Sequence, residues 1–288
     1  MGNKYDLLSK LLLYFPKKQD VSVFVDLFGG SGVVSANVPY KKILYNELNE
    51  NIVGILNVLK KLEPDEIIKH INDKIKEFDL AKARQKSYIE FRNHYNKSDK
   101  HPLNLMTLTF YSFSNLMRFN NKNEFNMPVG KNYFKKGEHD IQIKLFSKIL
   151  KEKDIEIINY NAFEVLEKIT ENNNQFIYLD PPYLNTTAIY NEARAFGGWC
   201  LDDDLKLFKE LDRIHNIGIK WALSNVLENK GIKNEHLEKW AKSKNYKITY
   251  IEEKEYASLG KGNAHSKEVL ITNYEPSFER YNIFDFME

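Results

Sequence analysis

Residues Val21 to Phe28 form a mostly apolar run that passes directly into Gly29-Gly30-Ser31-Gly32. A strand covered on both faces reads as continuous apolar sequence, so this run, its glycine turn and the short helical stretch Val33 to Ala36 open a parallel sheet. A second strand, Lys42 to Tyr45, ends at Asn46-Glu47. A helix then starts at Asn49, a good N-cap, with Ile52, Val53, Leu56 and Leu59 on one face. Glycines let backbone approach a ligand closely, and an acid ending the next strand accepts hydrogen bonds from ribose hydroxyls. Neither the three-glycine dinucleotide fingerprint nor a P-loop is present, which disfavours NAD and ATP. Alone, the loop is equally consistent with an ordinary tight turn.

The alternation of strand and helix stops near Leu62-Glu63-Pro64 and resumes at Ile155 to Ile158. Further strands are expected at 175–179, 218–225, 246–250 and 267–274, the last two close enough to pair as a hairpin. That makes a doubly wound sheet of seven strands, formed by residues 1–62 and 150–288. Residues 63–149 read as an inserted lobe, helical and polar to about residue 117. A hairpin is expected to follow, turning at Asn120-Asn121-Lys122-Asn123, where Asn tolerates the left-handed backbone. Between residues 80 and 136 eleven Lys and Arg face three acids, a local charge of +8 in a chain of net +2, leaving −6 for the remainder. A basic lobe on a mildly acidic body is the footprint of a polyanion binder, although a solvated basic face has the same composition.

The strand Gln175 to Leu179 ends at Asp180-Pro181-Pro182-Tyr183. Two prolines remove two amide donors and stiffen the backbone after the carboxylate. A carboxylate, a rigid carbonyl and an aromatic face at the end of a parallel strand can hold a planar amine-bearing ring, where ligands of open sheets bind. With the glycine loop, this points to a methyltransferase using S-adenosylmethionine, whose sulfonium already activates the methyl group. An aromatic amine is a poor nucleophile. Hydrogen bonds to Asp180 and the Pro181 carbonyl would orient it and stabilise the charge that develops. Tyr183 would stack on the base, which must be flipped from a duplex to reach such a pocket. One cysteine, Cys200, precludes an internal disulfide, and seven scattered histidines supply no ligand spacing, so no metal is expected. No apolar run is long enough to span a membrane, and a soluble cytoplasmic protein is expected. The residues alone also admit methylation of cytosine or RNA, an inactive DNA-binding module and, least readily, a dinucleotide enzyme.

Across nearly its full length the chain resembles the Dam-type DNA adenine methyltransferases, including bacteriophage members. The resemblance rests on Gly2-Asn3-Lys4, Phe28 to Gly32, Asp180 to Tyr183, Ser224-Asn225 and Glu268 to Tyr274. In the lobe it rests on Phe113 to Asn120 and Phe125 to Lys131. It implies a class I, Rossmann-like fold with an inserted target-recognition lobe. It further implies that Lys4, Asp26, Phe28, Gly29, Gly30, Gly32, Glu47, Asn159, Tyr160 and Asp180 surround the cofactor. Arg118 would read a guanine, Leu116 and Pro128 would meet a thymine methyl, and Ser114 would fill the gap left by the flipped adenine. Asn120, Lys131 and Asn132 complete the implied contacts with double-stranded DNA. The implied target is GATC-like, and the implied partner is a restriction endonuclease of the same site. Two departures stand out: no aromatic residue precedes Gly2-Asn3-Lys4, and Asn132 stands where the family often carries Arg or Tyr.

Overall fold

The computed structural model describes residues 4–80, 85–98, 100–171, 174–184, 198–229, 231–257 and 263–276. Gly2 and Asn3 of the N-terminal motif, and Lys82, Arg84 and Asp99 of the basic window, lie outside them. The chain divides into two compact units, Asn49–Ile157 and Gly2–Leu48 with Ile158–Glu288.

The second unit is built on strands β1 (Val23–Asp26), β2 (Lys42–Asn46), β4 (Gln175–Leu179), β5 (Lys220–Asn229), β7 (Lys247–Ala257) and β8 (Asn263–Thr272). With β3 (Asp154–Ile158) the sheet order is β3-β2-β1-β4-β5-β8-β7, and the two-residue β6 (Ile232–Lys233) pairs off this path with β5. Strands β2, β1, β4 and β5 run parallel, whereas β8 is antiparallel to both β5 and β7. The seven expected strands and the closing hairpin are thus present.

Side-chain alternation divides the sheet into two faces. Val25, Leu27, Ile177, Leu179, Trp221, Leu223, Val269 and Ile271 pack against α8 (Ala162–Glu167), α9 (Leu201–Asn216) and α10 (Glu235–Ser243). The opposite face is aromatic, with Phe15 against Phe176 at 4.9 Å and Phe24 stacked on Tyr40 at 5.3 Å. Tyr178 and Ser224 share that face through a buried hydroxyl contact of 2.8 Å. Helices α1 (Leu8–Leu12) and α2 (Val33–Asn37) are short.

The first unit contains α3 (Glu50–Lys61), α4 (Pro64–Glu77), α5 (Gln85–Lys97), α6 (Pro102–Tyr111) and α7 (Glu138–Glu152). Asn49 caps α3 as expected, its side chain accepting from the Asn51 amide at 3.0 Å. Helix α6 buries Leu103, Asn104, Leu105, Thr107, Leu108 and Tyr111, nearly all round, and packs against α3, α4 and α5. Its buried Asn104 is paired with His70 of α4 at 2.8 Å. No described helix is long and apolar enough to cross a membrane.

Candidate active site

The glycine loop is drawn tight against the end of β2. A Cβ on Gly29 would lie 2.0 Å from the Tyr45 ring, and the Gly29 amide donates to the Asn46 carbonyl at 2.8 Å. Tyr45 cannot easily yield, because it is buried and its hydroxyl donates to the Gly30 carbonyl at 2.6 Å. Gly30 and Gly32 adopt φ of 52° and 76°, where only glycine is unstrained. Glu47 Oε2 accepts from the Gly30 amide at 2.8 Å, so the acid ending β2 meets the loop directly.

Asn46, which sequence reasoning passes over in favour of its neighbour Glu47, ties this region together. Its Nδ2 donates to the carbonyls of Leu27 (3.0 Å) and Tyr160 (3.1 Å), and its Oδ1 accepts from the Tyr160 amide at 3.0 Å. Asn159 donates to the carbonyls of Glu47 (2.6 Å) and Leu48 (2.9 Å). Glu47, Asn159 and Tyr160 are therefore assembled beside the loop. The Phe28 ring meets the edge of Trp199 at 5.7 Å, and Trp199 stacks on Phe163 at 6.1 Å. Trp199 carries no local sequence signal.

Asp26 is buried, and its Oδ2 accepts from the Ser35 hydroxyl at 2.6 Å. Burial pushes its carboxyl up to about 7 from an ordinary 3.8; the Ser35 bond opposes the rise, and the charges of Asp180 and Glu47 add to it. Between those two values the folded protein keeps a proton that the unfolded chain releases. Stability from this group is therefore full below about pH 4, declines as pH rises toward about 7, and is flat above. Asp26→Asn should remove that slope and melt above the parent at pH ~8 by thermal denaturation across this range. An unchanged slope in the variant would refute the assignment.

At the end of β4, Asp180 Oδ1 accepts from the Tyr183 hydroxyl at 2.6 Å and lies 3.2 Å from Lys4 Nζ. Among the described residues both contacts fall on Oδ1, and Oδ2 is unpartnered. Lys4, itself buried, also donates to Glu268 Oε1 and to the Tyr183 hydroxyl. The Tyr183 hydroxyl lies 3.3 Å from Glu268 Oε1. Burial lowers the Lys4 pKa, but Asp180 and Glu268 outweigh it and leave the ammonium stabilised. Burial, and then the same two carboxylates, hold the Tyr183 phenol neutral. The structure thus joins Lys4, Asp180 and Tyr183, and adds Glu268, which the sequence offers only as the start of a strand motif.

The other set of sequence-predicted residues lies in the unit Asn49–Ile157. Instead of a regular hairpin ladder, the arms of the loop around residues 117–128 are joined by two isolated antiparallel bridges, Ser112 to Val129 at its base and Phe119 to Phe125 near its turn, with the Asn126 amide donating to the Arg118 carbonyl at 2.9 Å. Side chains of α5 take the place of a strand ladder. Asn96 bonds both the amide (2.8 Å) and the carbonyl (3.0 Å) of Phe125, while Tyr88 and Arg92 both donate to the Met127 carbonyl at 3.0 Å. Arg118 Nε is held by Asn126 Oδ1 at 2.8 Å. The Asn120 side chain accepts from the amides of Lys122 (2.9 Å) and Glu124 (3.0 Å), shaping the turn. Ser114 and Asn115 are exposed with φ of 53°, an unusual backbone for such residues. Asn132 donates to Asn115 Oδ1 at 3.2 Å. Pro128, Lys131 and Asn132 are outward-facing, and Leu116 is half-buried.

A family model described as D12 class N6 adenine-specific DNA methyltransferase matches residues 1–257. The chain belongs to this family. It is 38% identical over 280 residues to the type II methyltransferase M.FokI of Planomicrobium okeanokoites, and 37% identical over 282 residues to the modification methylase StsI of Streptococcus sanguinis. These alignments take in 95% and 96% of this chain but 42% of each relative, so the chain spans about two fifths of their length. It is also 28% identical over 211 residues to a DNA adenine methylase of Vibrio cholerae, covering 72% of both chains.

D12 class methyltransferases depend on S-adenosylmethionine, and the residues present fit that group. A carboxylate stands at Glu47 against the glycine loop, and aromatic Phe28 and Trp199 supply an apolar wall. Among the described residues no three His, Cys, Asp or Glu side chains cluster as metal ligands.

Proposed function

We propose that this protein methylates the exocyclic amine of adenine within a short site of double-stranded DNA. The single observation that carries this is the Asp180 carboxylate, loaded on Oδ1 and open on Oδ2 among the described residues, directly before two prolines. One amine hydrogen donates to Oδ2 and the other to the Pro181 carbonyl, turning the nitrogen lone pair toward the donor. Bound S-adenosylmethionine supplies the activated methyl group. The carboxylate stabilises positive charge as it grows on the amine, which gives up one N–H proton to solvent as the new N–C bond replaces the donor's S–C bond, and Tyr183 flanks the flipped base. Lys4, Glu47, Asn159 and Tyr160, with the glycine loop, hold the cofactor.

The unit Asn49–Ile157 is the proposed target-recognition lobe. Arg118, oriented by Asn126, has the bidentate geometry for a guanine, and Leu116 and Pro128 offer apolar contacts for a thymine methyl. Ser114 stands at an exposed loop tip where it can enter the duplex beside the flipped base. Asn120, Lys131 and Asn132 line the same loop region, and lysine–phosphate contacts make binding strongly salt-dependent. A GATC-like site and cytosolic action complete the reading, and the names of the type II relatives support a restriction endonuclease of the same site as partner.

Labelled methyl donor with duplex DNA, followed by nucleoside digestion, should yield N6-methyladenine. Label in cytosine, label in RNA alone, or no transfer would overturn this function. In the same assay Arg118→Ala should relax the preference at one base by about 1–3 kcal/mol. Lys131→Ala should weaken all sequences alike and reduce the salt dependence.

A further inference from the structure

Glu268 lies on β8 at a point where both neighbouring strands are irregular. The register of β5 shifts between Val226 and Glu228, and that of β7 between Tyr250 and Glu252, each beside the residue paired with Glu268. Bulges re-aim side chains and are over-represented next to active sites. Here the side chain reaches Lys4, 264 residues earlier in the chain. The cluster then holds one ammonium and two carboxylates, in side chains that are 11% exposed for Lys4, 25% for Asp180 and 19% for Glu268. A single cation facing Asp180 alone would neutralise the group that must stabilise a cationic amine. With Glu268 present the cluster keeps one net negative charge, and Lys4 is shared.

We propose that Glu268 is a positioning residue for methyl transfer: it engages the Lys4 ammonium so that Asp180 remains a charged acceptor for the substrate amine. Glu268 touches Lys4 and the Tyr183 hydroxyl, so it acts through them. This role rests on the reading of Asp180 as the amine-binding carboxylate. Removing the second carboxylate leaves the Lys4 ammonium paired with Asp180 alone, where it competes with the substrate amine for that carboxylate's charge.

The test is single-turnover methyl transfer to duplex DNA at saturating cofactor, with cofactor affinity measured separately by calorimetry. Glu268→Gln should slow transfer roughly 10- to 100-fold, Glu268→Asp should recover part of the rate, and cofactor affinity should change by less than about threefold. A residue needed only for folding would lose Tm and cofactor affinity together with the rate, so a slowed Glu268→Gln with both unchanged separates positioning from folding. Wild-type rates in Glu268→Gln, or a rate loss matched by an equal loss of Tm and cofactor affinity, would overturn the proposal. A parent protein that methylates no adenine would instead overturn the function on which it rests.

Discussion

Asp180→Ala should reduce methyl transfer by about 10³-fold or more, with cofactor binding still measurable. Asp180 supplies the carboxylate proposed to accept the amine and the charge that offsets the developing cation. The fold should survive, because Lys4 keeps Glu268 and the Tyr183 hydroxyl as partners. Asp180→Asn separates the two contributions. It retains an acceptor oxygen but loses the charge, so its rate should fall between those of the parent and Asp180→Ala. If the amide were as fast as the carboxylate, charge stabilisation would not operate here, and an active Asp180→Ala protein would sink the mechanism altogether.

The second large effect is expected at Gly29. Gly29→Ala places a methyl carbon 2.0 Å from Tyr45 Cε2 and 2.4 Å from Cδ2, contacts that no side chain tolerates. Tyr45 is buried and tied through its hydroxyl to Gly30, so relief requires the loop itself to move. Overpacking of this kind costs about 1–3 kcal/mol, and more where the neighbour is pinned. In a chain of this size that lowers Tm by roughly 2–4 °C per kcal/mol, and cofactor affinity should fall with it because the loop is displaced. Tyr45→Leu added to Gly29→Ala should restore part of the loss, a coupling that a double-mutant cycle would read directly. A Gly29→Ala protein with parental Tm and cofactor affinity would show that the loop is not built as described.

The strand ends are legible in the sequence because each is announced locally. An apolar run meets a breaker at Gly29 and again at Pro181, and the acids beside them need no distant residue to be recognised. The basic lobe is legible from charge, but the form of its recognition loop is not. Asn-rich turn chemistry suggests a hairpin, whereas the loop is held by Asn96, Tyr88 and Arg92 of α5, which bond its backbone in place of a partner strand. Asn46 shows the same limit on a smaller scale: its role depends on Leu27 and Tyr160 converging on it, which no spacing announces.

By itself, then, the sequence determined the order of strands and helices, the glycine loop and the Asp180 turn, since hydrophobic period, glycine freedom and proline stiffness all act over a few residues. Only the tertiary structure decided how the charges are matched. Lys4, the turn carrying Asp180 and Tyr183, and Glu268 come from widely separated parts of the chain, and they meet through sheet order and two strand irregularities at Glu268. Electrostatics between buried groups falls off with distance in space and is indifferent to separation along the chain.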